Sequence, residues 1–251
     1  MTKKHHRLIP QILAAALTLF GVVACSTTSS TYNYLGNFKW VIGKKAEAIA
    51  DFSKAIALNP NYVDAYNNRG LVKDDLGKKD DALSDYNQAI NLNPNYVNAY
   101  NNRGNLKSAL GKKAEALSDY NQAIDLNPNY ALAYYNRGNL KYELGKKDEA
   151  IADYSKAIDL NPNNACAFYN RGIVKSALGK KDEAIADYSK AIDLNPNFAD
   201  AYVGRGNVKN LLGDTQNAIA DYQKAADLYK QQGKTSDYQD AVKEVKKLSA
   251  H

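Results

Sequence analysis

The chain has 251 residues, 45% hydrophobic and 24% charged, the balance of an ordinary folded protein rather than a disordered one. Its 33 basic and 27 acidic residues leave a formal charge of +6, and three of the cations lie in the first seven residues. So weak and unclustered an excess argues against a nucleic-acid reader, and two cysteines without paired Cys/His spacing argue against a structural zinc site.

The amino-terminal segment reads as an address. Lys3, Lys4, His5, His6 and Arg7 form a basic start, and a mostly apolar stretch follows from Leu8 to Ala24. Its uninterrupted apolar core, Ile12 to Leu17, is short for a bilayer-spanning helix, so residues 1–24 are expected to be a secretory signal. The end of the segment, Val22-Val23-Ala24-Cys25, resembles the lipobox of bacterial lipoproteins, with Val22 where leucine is usual. That resemblance implies cleavage before Cys25, lipidation of Cys25, and residues 25–30 as a short polar tether. It implies a place in the cell envelope on the periplasmic face of the outer membrane, since Ser26 rather than aspartate follows the cysteine. Two or more acyl chains hold a protein stably at a bilayer without a transmembrane helix. The alternatives are plain secretion or release to the periplasm after cleavage at Ala24, and an uncleaved anchor.

From residue 29 onward one pattern recurs. Pro60, Pro94, Pro128, Pro162 and Pro196 share a single spacing of 34 residues. With proline at position 32, six units run 29–62, 63–96, 97–130, 131–164, 165–198 and 199–232. Position 8 is glycine from Gly36 to Gly206, position 15 glycine from Gly43 to Gly213, and position 20 alanine from Ala48 to Ala218. Position 24 is Phe52, then tyrosine from Tyr86 to Tyr222, and position 27 is always alanine. A 34-residue period of this kind predicts stacked helix pairs, because one pair cannot bury its apolar face alone. Glycine at 15 is expected to end the first helix of each pair and Asn-Pro-Asn the second. Small residues at 8 and 20 let the two helices of a unit approach closely.

These residues resemble the tetratricopeptide repeat (TPR) family over 29–232. The resemblance implies an all-α, right-handed superhelical solenoid of six 34-residue helix-turn-helix units. The sixth unit has Lys230 in place of proline, so its second helix can run on until Gly233 stops it. Residues 234–250 then form a capping helix, with Thr235 or Ser236 at its start and Tyr238, Val242, Val245 and Leu248 on its apolar face.

One feature departs from the family. Position 7, usually large and apolar, is Arg69, Arg103, Arg137, Arg171 and Arg205, with only Leu35 conforming. Position 11 is lysine in all six units, from Lys39 to Lys209. Cations four apart on one helix repel. Position 23, aspartate from Asp51 to Asp221, comes level with position 7 in an antiparallel pair, so a ladder of Arg–Asp pairs is expected. The alternative is that the cations recruit an acidic ligand.

In TPR proteins the first helix of each unit lines the concave face. Its positions here are asparagine-rich: Asn67, Asn68, Asn101, Asn102, Asn105, Asn136, Asn139 and Asn170, joined by Tyr135, Tyr142 and Tyr169. Carboxamides both donate and accept, so such a row can satisfy an extended peptide without demanding one sequence. The bland alternative is a solvated groove. Lysine pairs at the turns, such as Lys146-Lys147, read as a solvated edge, and Cys166 as a small filler.

The repeats contain no histidine and no nucleophile–base motif, and no irregular cluster stands out, which argues against an enzyme. No cofactor or metal is expected. The leading expectation is a non-catalytic, membrane-tethered scaffold that binds a protein or peptide in its groove. The second is a soluble assembly protein that associates with itself.

Overall fold

The computed structural model describes residues 28–250. The expected signal segment and Cys25 lie outside them. The described chain is all helical, built from six helix pairs and a final helix. It divides into two compact units, one ending at Leu126 and one beginning at Asn127.

The first unit holds α1 Ser29–Val41, α2 Lys45–Leu58, α3 Val63–Asp75, α4 Lys79–Leu92, α5 Val97–Ala109 and α6 Lys113–Leu126. The second holds α7 Ala131–Glu143, α8 Lys147–Leu160, α9 Ala165–Ala177, α10 Lys181–Leu194, α11 Ala199–Leu211, α12 Thr215–Gln231 and α13 Thr235–Ser249. Among the described residues no helix is long and apolar enough to cross a membrane.

The turn inside each pair has one cause. The glycine at position 15 takes a positive φ, +76° at Gly77, a region other residues rarely enter. That conformation turns the chain so that Gly77 N–H donates to Asp74 C=O at 2.9 Å and Lys78 N–H to Lys73 C=O at 2.9 Å. The two bonds satisfy carbonyls that the helix end would leave orphaned. The turn between pairs uses more than proline. Asn93 Oδ1 accepts from Asn95 N–H at 3.0 Å, and the same side-chain turn recurs at Asn59, Asn127 and Asn195. Asparagine mimics a backbone turn in this way.

Packing within a pair rests on the glycine at position 8. A Cβ on Gly70 would lie 2.8 Å from the Tyr86 ring, and one on Gly104 2.7 Å from the Tyr120 ring. The ring therefore lies flat on the partner helix backbone. Beyond the pair, Tyr86 and Ala82 pack against Leu106 of the next repeat. Tyr154 and Ala150 meet Val174 in the same way, as Tyr188 and Ala184 meet Val208. The position-24 aromatics Tyr86, Tyr154 and Tyr188 thus fill space both within a repeat and against the next one. Ala89 and Ile90 complete the seam against Ala99.

Helix α12 continues to Gln231 and Gly233 ends it with φ +72°. Helix α13 buries Ala241, with Tyr238 and Val242 partly buried beside it, and exposes Lys243, Lys246 and Lys247. Its cap position is Lys234, without a side-chain capping bond, so neither Thr235 nor Ser236 serves as the cap. The chain reaches α13 through the glycine turn, which sets the entry without a hydroxyl.

Candidate functional site

The cations at positions 7 and 11 are consumed inside the repeats. Arg69 donates from Nε to Asp85 Oδ2 at 2.9 Å and from Nη2 to Asp85 Oδ1 at 2.7 Å. Lys73 Nζ reaches the same carboxylate at 2.8 Å. Arg103 with Lys107, Arg137 with Lys141, Arg171 with Lys175 and Arg205 with Lys209 repeat the triad on Asp119, Asp153, Asp187 and Asp221. The aspartates are buried and the arginines largely so. Arg69 also donates to Ser53 of the preceding repeat at 3.1 Å, and its guanidinium lies over the Tyr66 ring at 5.5 Å. In the first repeat, where Leu35 replaces arginine, Lys39 alone meets Asp51 at 2.6 Å. The hydrogen bond to Asp51 raises the Lys39 pKa against the opposing effect of burial. The geometry is that of a structural ladder.

The asparagines divide into two sets. Asn67 and Asn101 are buried, so they are corrected from groove residues to seam residues. Asn102 donates to Asn67 Oδ1 at 2.9 Å, Asn67 donates to Asn68 Oδ1 at 3.3 Å, and Asn68 donates to Asn33 Oδ1 at 3.2 Å. This chain of carboxamides stitches three consecutive repeats. The pattern follows from position 5 facing the next repeat, where a carboxamide can donate and accept at once. In the second unit, Tyr135 occupies position 5, and Asn170 donates to its Oη at 3.1 Å and to Asn139 Oδ1 at 2.9 Å.

Asn68, Asn102, Asn136, Asn139 and Asn170 are half-buried, while Asn105 and Tyr142 are exposed. Asn105 Oδ1 accepts from Tyr120 Oη at 2.8 Å, and Asn139 from Tyr154 Oη at 2.8 Å. Asn207 does the same for Tyr222 at 2.6 Å. Position 9 thus serves the tyrosine at position 24 in the third, fourth and sixth repeats, while in the first, with Asn37 at position 9, position 24 is Phe52 and has no hydroxyl. In the second repeat position 9 is Leu71, and the fully buried Tyr86 hydroxyl has no partner. In the fifth it is Ile173.

The asparagine pattern breaks in the sixth repeat, where positions 5 and 6 are Val203 and Gly204. There the Tyr188 ring packs against the Gly204 backbone, and a cleft of about 350 Å³ lies between α9 and α11. Tyr169, Ile173 and Tyr188 form one side, and Val203, Gly204 and Asp200 the other. Tyr229 of α12 closes an end and donates from its hydroxyl to Asp200 Oδ1 at 2.5 Å. Burial, helped by the negative charge of Asp200, pushes the Tyr169 hydroxyl up to about 12. Burial raises Tyr188 and Tyr229 further, so all three stay neutral donors across the physiological range. Of the groove positions read from the repeat pattern, Tyr169 and the position-9 Asn207 line this cleft. The signal for the others was in the sequence, as the loss of asparagine at positions 5 and 6 of the sixth repeat and at position 9 of the fifth, and the expectation that no irregular cluster stands out is corrected accordingly.

Models of the TPR repeat match residues 42–73, 105–145 and 138–179, and models described as tetratricopeptide repeat match 63–96, 85–118, 165–198 and 199–232. Together they run without a gap from 42 to 232. Among solved structures, MamA is 28% identical with a TM-score of 0.61, over 66% of this chain and 96% of that one. YrrB, described as a TPR protein with an unusual peptide-binding site, is 24% identical with a TM-score of 0.58, over 70% and 91%. A tetratricopeptide repeat protein from Parabacteroides merdae ATCC 43184 is 22% identical with a TM-score of 0.67, over 96% of each chain. No curated protein sequence matches significantly.

Proposed function

Because the chain belongs to the tetratricopeptide repeat family, we propose that it is a non-catalytic scaffold whose first-helix surface binds a protein or an extended peptide. The observation that carries this is the division of polar groups in the repeat. The charged groups at positions 7, 11 and 23 are paired with one another and largely withdrawn from solvent. What the first helices present outward beside a few carboxylates such as Asp64 and Asp200 is neutral: half-buried or exposed carboxamides at Asn102, Asn105, Asn136, Asn139 and Asn170, and the tyrosines 135, 142 and 169. Carboxamides serve a peptide backbone, and tyrosines supply amphipathic area at low entropic cost. Proton-transfer or nucleophilic chemistry would need a different constellation.

The segment Val22-Val23-Ala24-Cys25 supports a lipid anchor on Cys25, which would place the repeats at the cell envelope, on the periplasmic face of the outer membrane. The test has two arms. Full-length protein made in a bacterium carries a lipid mass on Cys25 and partitions into detergent, and Cys25→Ala loses both. Photo-crosslinking residues placed at Asn105 and Tyr142 then capture a partner from intact cells, while the same residue at Lys243, on the outward face of α13, does not. Equal capture at all three positions would reject the first-helix surface.

A further inference from the structure

We propose that the cleft between α9 and α11 is a side-chain pocket for a cation, an arginine or lysine presented by the bound peptide. The inference rests on the peptide-binding reading above and adds to it the chemistry of one position of the ligand. Its volume, about 350 Å³, lies at the small end of ligand pockets and suits one long side chain.

Charge decides the class of that side chain. Asp200 is the one charged residue in the lining, and no lysine or arginine lines the cleft. Elsewhere the position-23 aspartates are each held by cations of their own repeat, whereas Asp200 forms no ion pair among the described residues. Its one hydrogen bond is accepted at Oδ1 from Tyr229, which orients the carboxylate and leaves most of its acceptor capacity unused. An anionic side chain would meet this carboxylate without compensation.

The walls agree with the charge. Tyr169 and Tyr188 stand with ring centroids 5.8 Å apart at 50°, and Tyr229 closes the end beside Asp200. Aromatic faces attract a cation through their quadrupole, most strongly where water is thinned out. Ile173 and Val203 supply the apolar surface along which the methylene stem of lysine or arginine lies while its head stays polar. Gly204 lets the Tyr188 ring lie directly against the α11 backbone and form a wall of the cleft, since a Cβ there would stand 2.8 Å from the ring.

The second repeat holds the equivalent acid in a different setting. Asp64 also accepts a tyrosine hydroxyl, from Tyr96 at 2.5 Å, but Asn67 and Asn68 occupy the positions that Val203 and Gly204 hold in the sixth repeat.

The test titrates the full-length protein, carrying methyl-labelled Ile, Leu and Val, with acetylated, amidated heptapeptides. Each has one variable residue flanked on both sides by Gly-Ser-Gly. The arginine peptide is expected to shift the Ile173 and Val203 methyl signals, and its citrulline isostere to need about tenfold higher concentration. The leucine and glutamate peptides are weaker still. Asp200→Asn, at unchanged melting temperature, removes the preference for arginine over citrulline. Gly204→Asn, whose Cβ displaces the Tyr188 ring from the cleft wall, removes the shifts for every peptide. Equal binding of arginine and citrulline, a preference for leucine, or no shift at Ile173 and Val203 with the arginine peptide up to millimolar concentration overturns the pocket. The peptide-binding reading is judged separately, by crosslinking at Asn105 and Tyr142, which lie outside the cleft.

Discussion

The second and third repeats and the fifth and sixth are built on the same frame and differ in what their first helices do with positions 5, 6 and 9. In the earlier pair, Asn67, Asn68 and Asn102 exchange hydrogen bonds across the seam and close it. In the later pair, Tyr169, Ile173, Val203 and Gly204 exchange none of these bonds at the same positions, and a cleft opens over Tyr188. The Arg–Lys–Asp triad is the same in both. Stability and, on the proposed function, recognition are therefore carried by different positions of one repeat. The triad and the glycine–aromatic stack hold each pair, and positions 5, 6 and 9 decide whether its surface is sealed or open.

That separation can be broken most severely at the triad. Asp85→Ala strands Arg69 and Lys73 in a largely buried site, and loss of one partner of a buried pair costs about 3–5 kcal/mol. A drop of several degrees in the thermal transition, followed by helical circular dichroism, is expected. The exposed Asp182→Ala stays within about 0.5 kcal/mol of the parent. Equal effects of the two would remove the ladder from the account of stability.

A smaller effect sharpens the contrast between the sealed and open seams. Asn101 is fully buried and donates to Asn102 at 3.5 Å. Asn101→Ala is expected to cost about 1–3 kcal/mol, because the groups it served are left unsatisfied. Val203→Ala, at the same repeat position beside the open cleft, is expected to cost less. Denaturant midpoints of the two variants give the comparison directly, and a larger loss at Val203 would contradict the division.

The smallest effect concerns position 9. Tyr120→Phe removes the hydrogen bond to Asn105 and is expected to cost about 0.5–1.5 kcal/mol. Tyr86→Phe removes a buried hydroxyl that has no partner, so it is expected to be neutral or stabilising. The sign of the difference between these two chemically identical substitutions tests whether Leu71 in place of asparagine leaves Tyr86 unsatisfied.

Much of this molecule is legible in its sequence, because a repeated unit states each constraint several times. The 34-residue spacing, the glycine and alanine positions and the proline turns specify helix pairs, since each answers a local demand of backbone geometry or close approach. Even the Arg–Asp pairing could be read from the equal distances of positions 7 and 23 from the turn. The candidate surface was less legible. Asn67 and Asn102 are adjacent types on adjacent repeats, and nothing local distinguishes a carboxamide that faces solvent from one that faces the next repeat. Burial of Asn67 and Asn101 was decided by how neighbouring helices stack, which puts position 5 into the seam. The cleft was decided in the same way. Val203 and Gly204 break the asparagine pattern along the chain, but they line a pocket only where α9, α11 and α12 bring Tyr169, Tyr188, Asp200 and Tyr229 beside them. Local chemistry determined the repeat, while long-range packing alone determined which of its polar groups remain available to a partner.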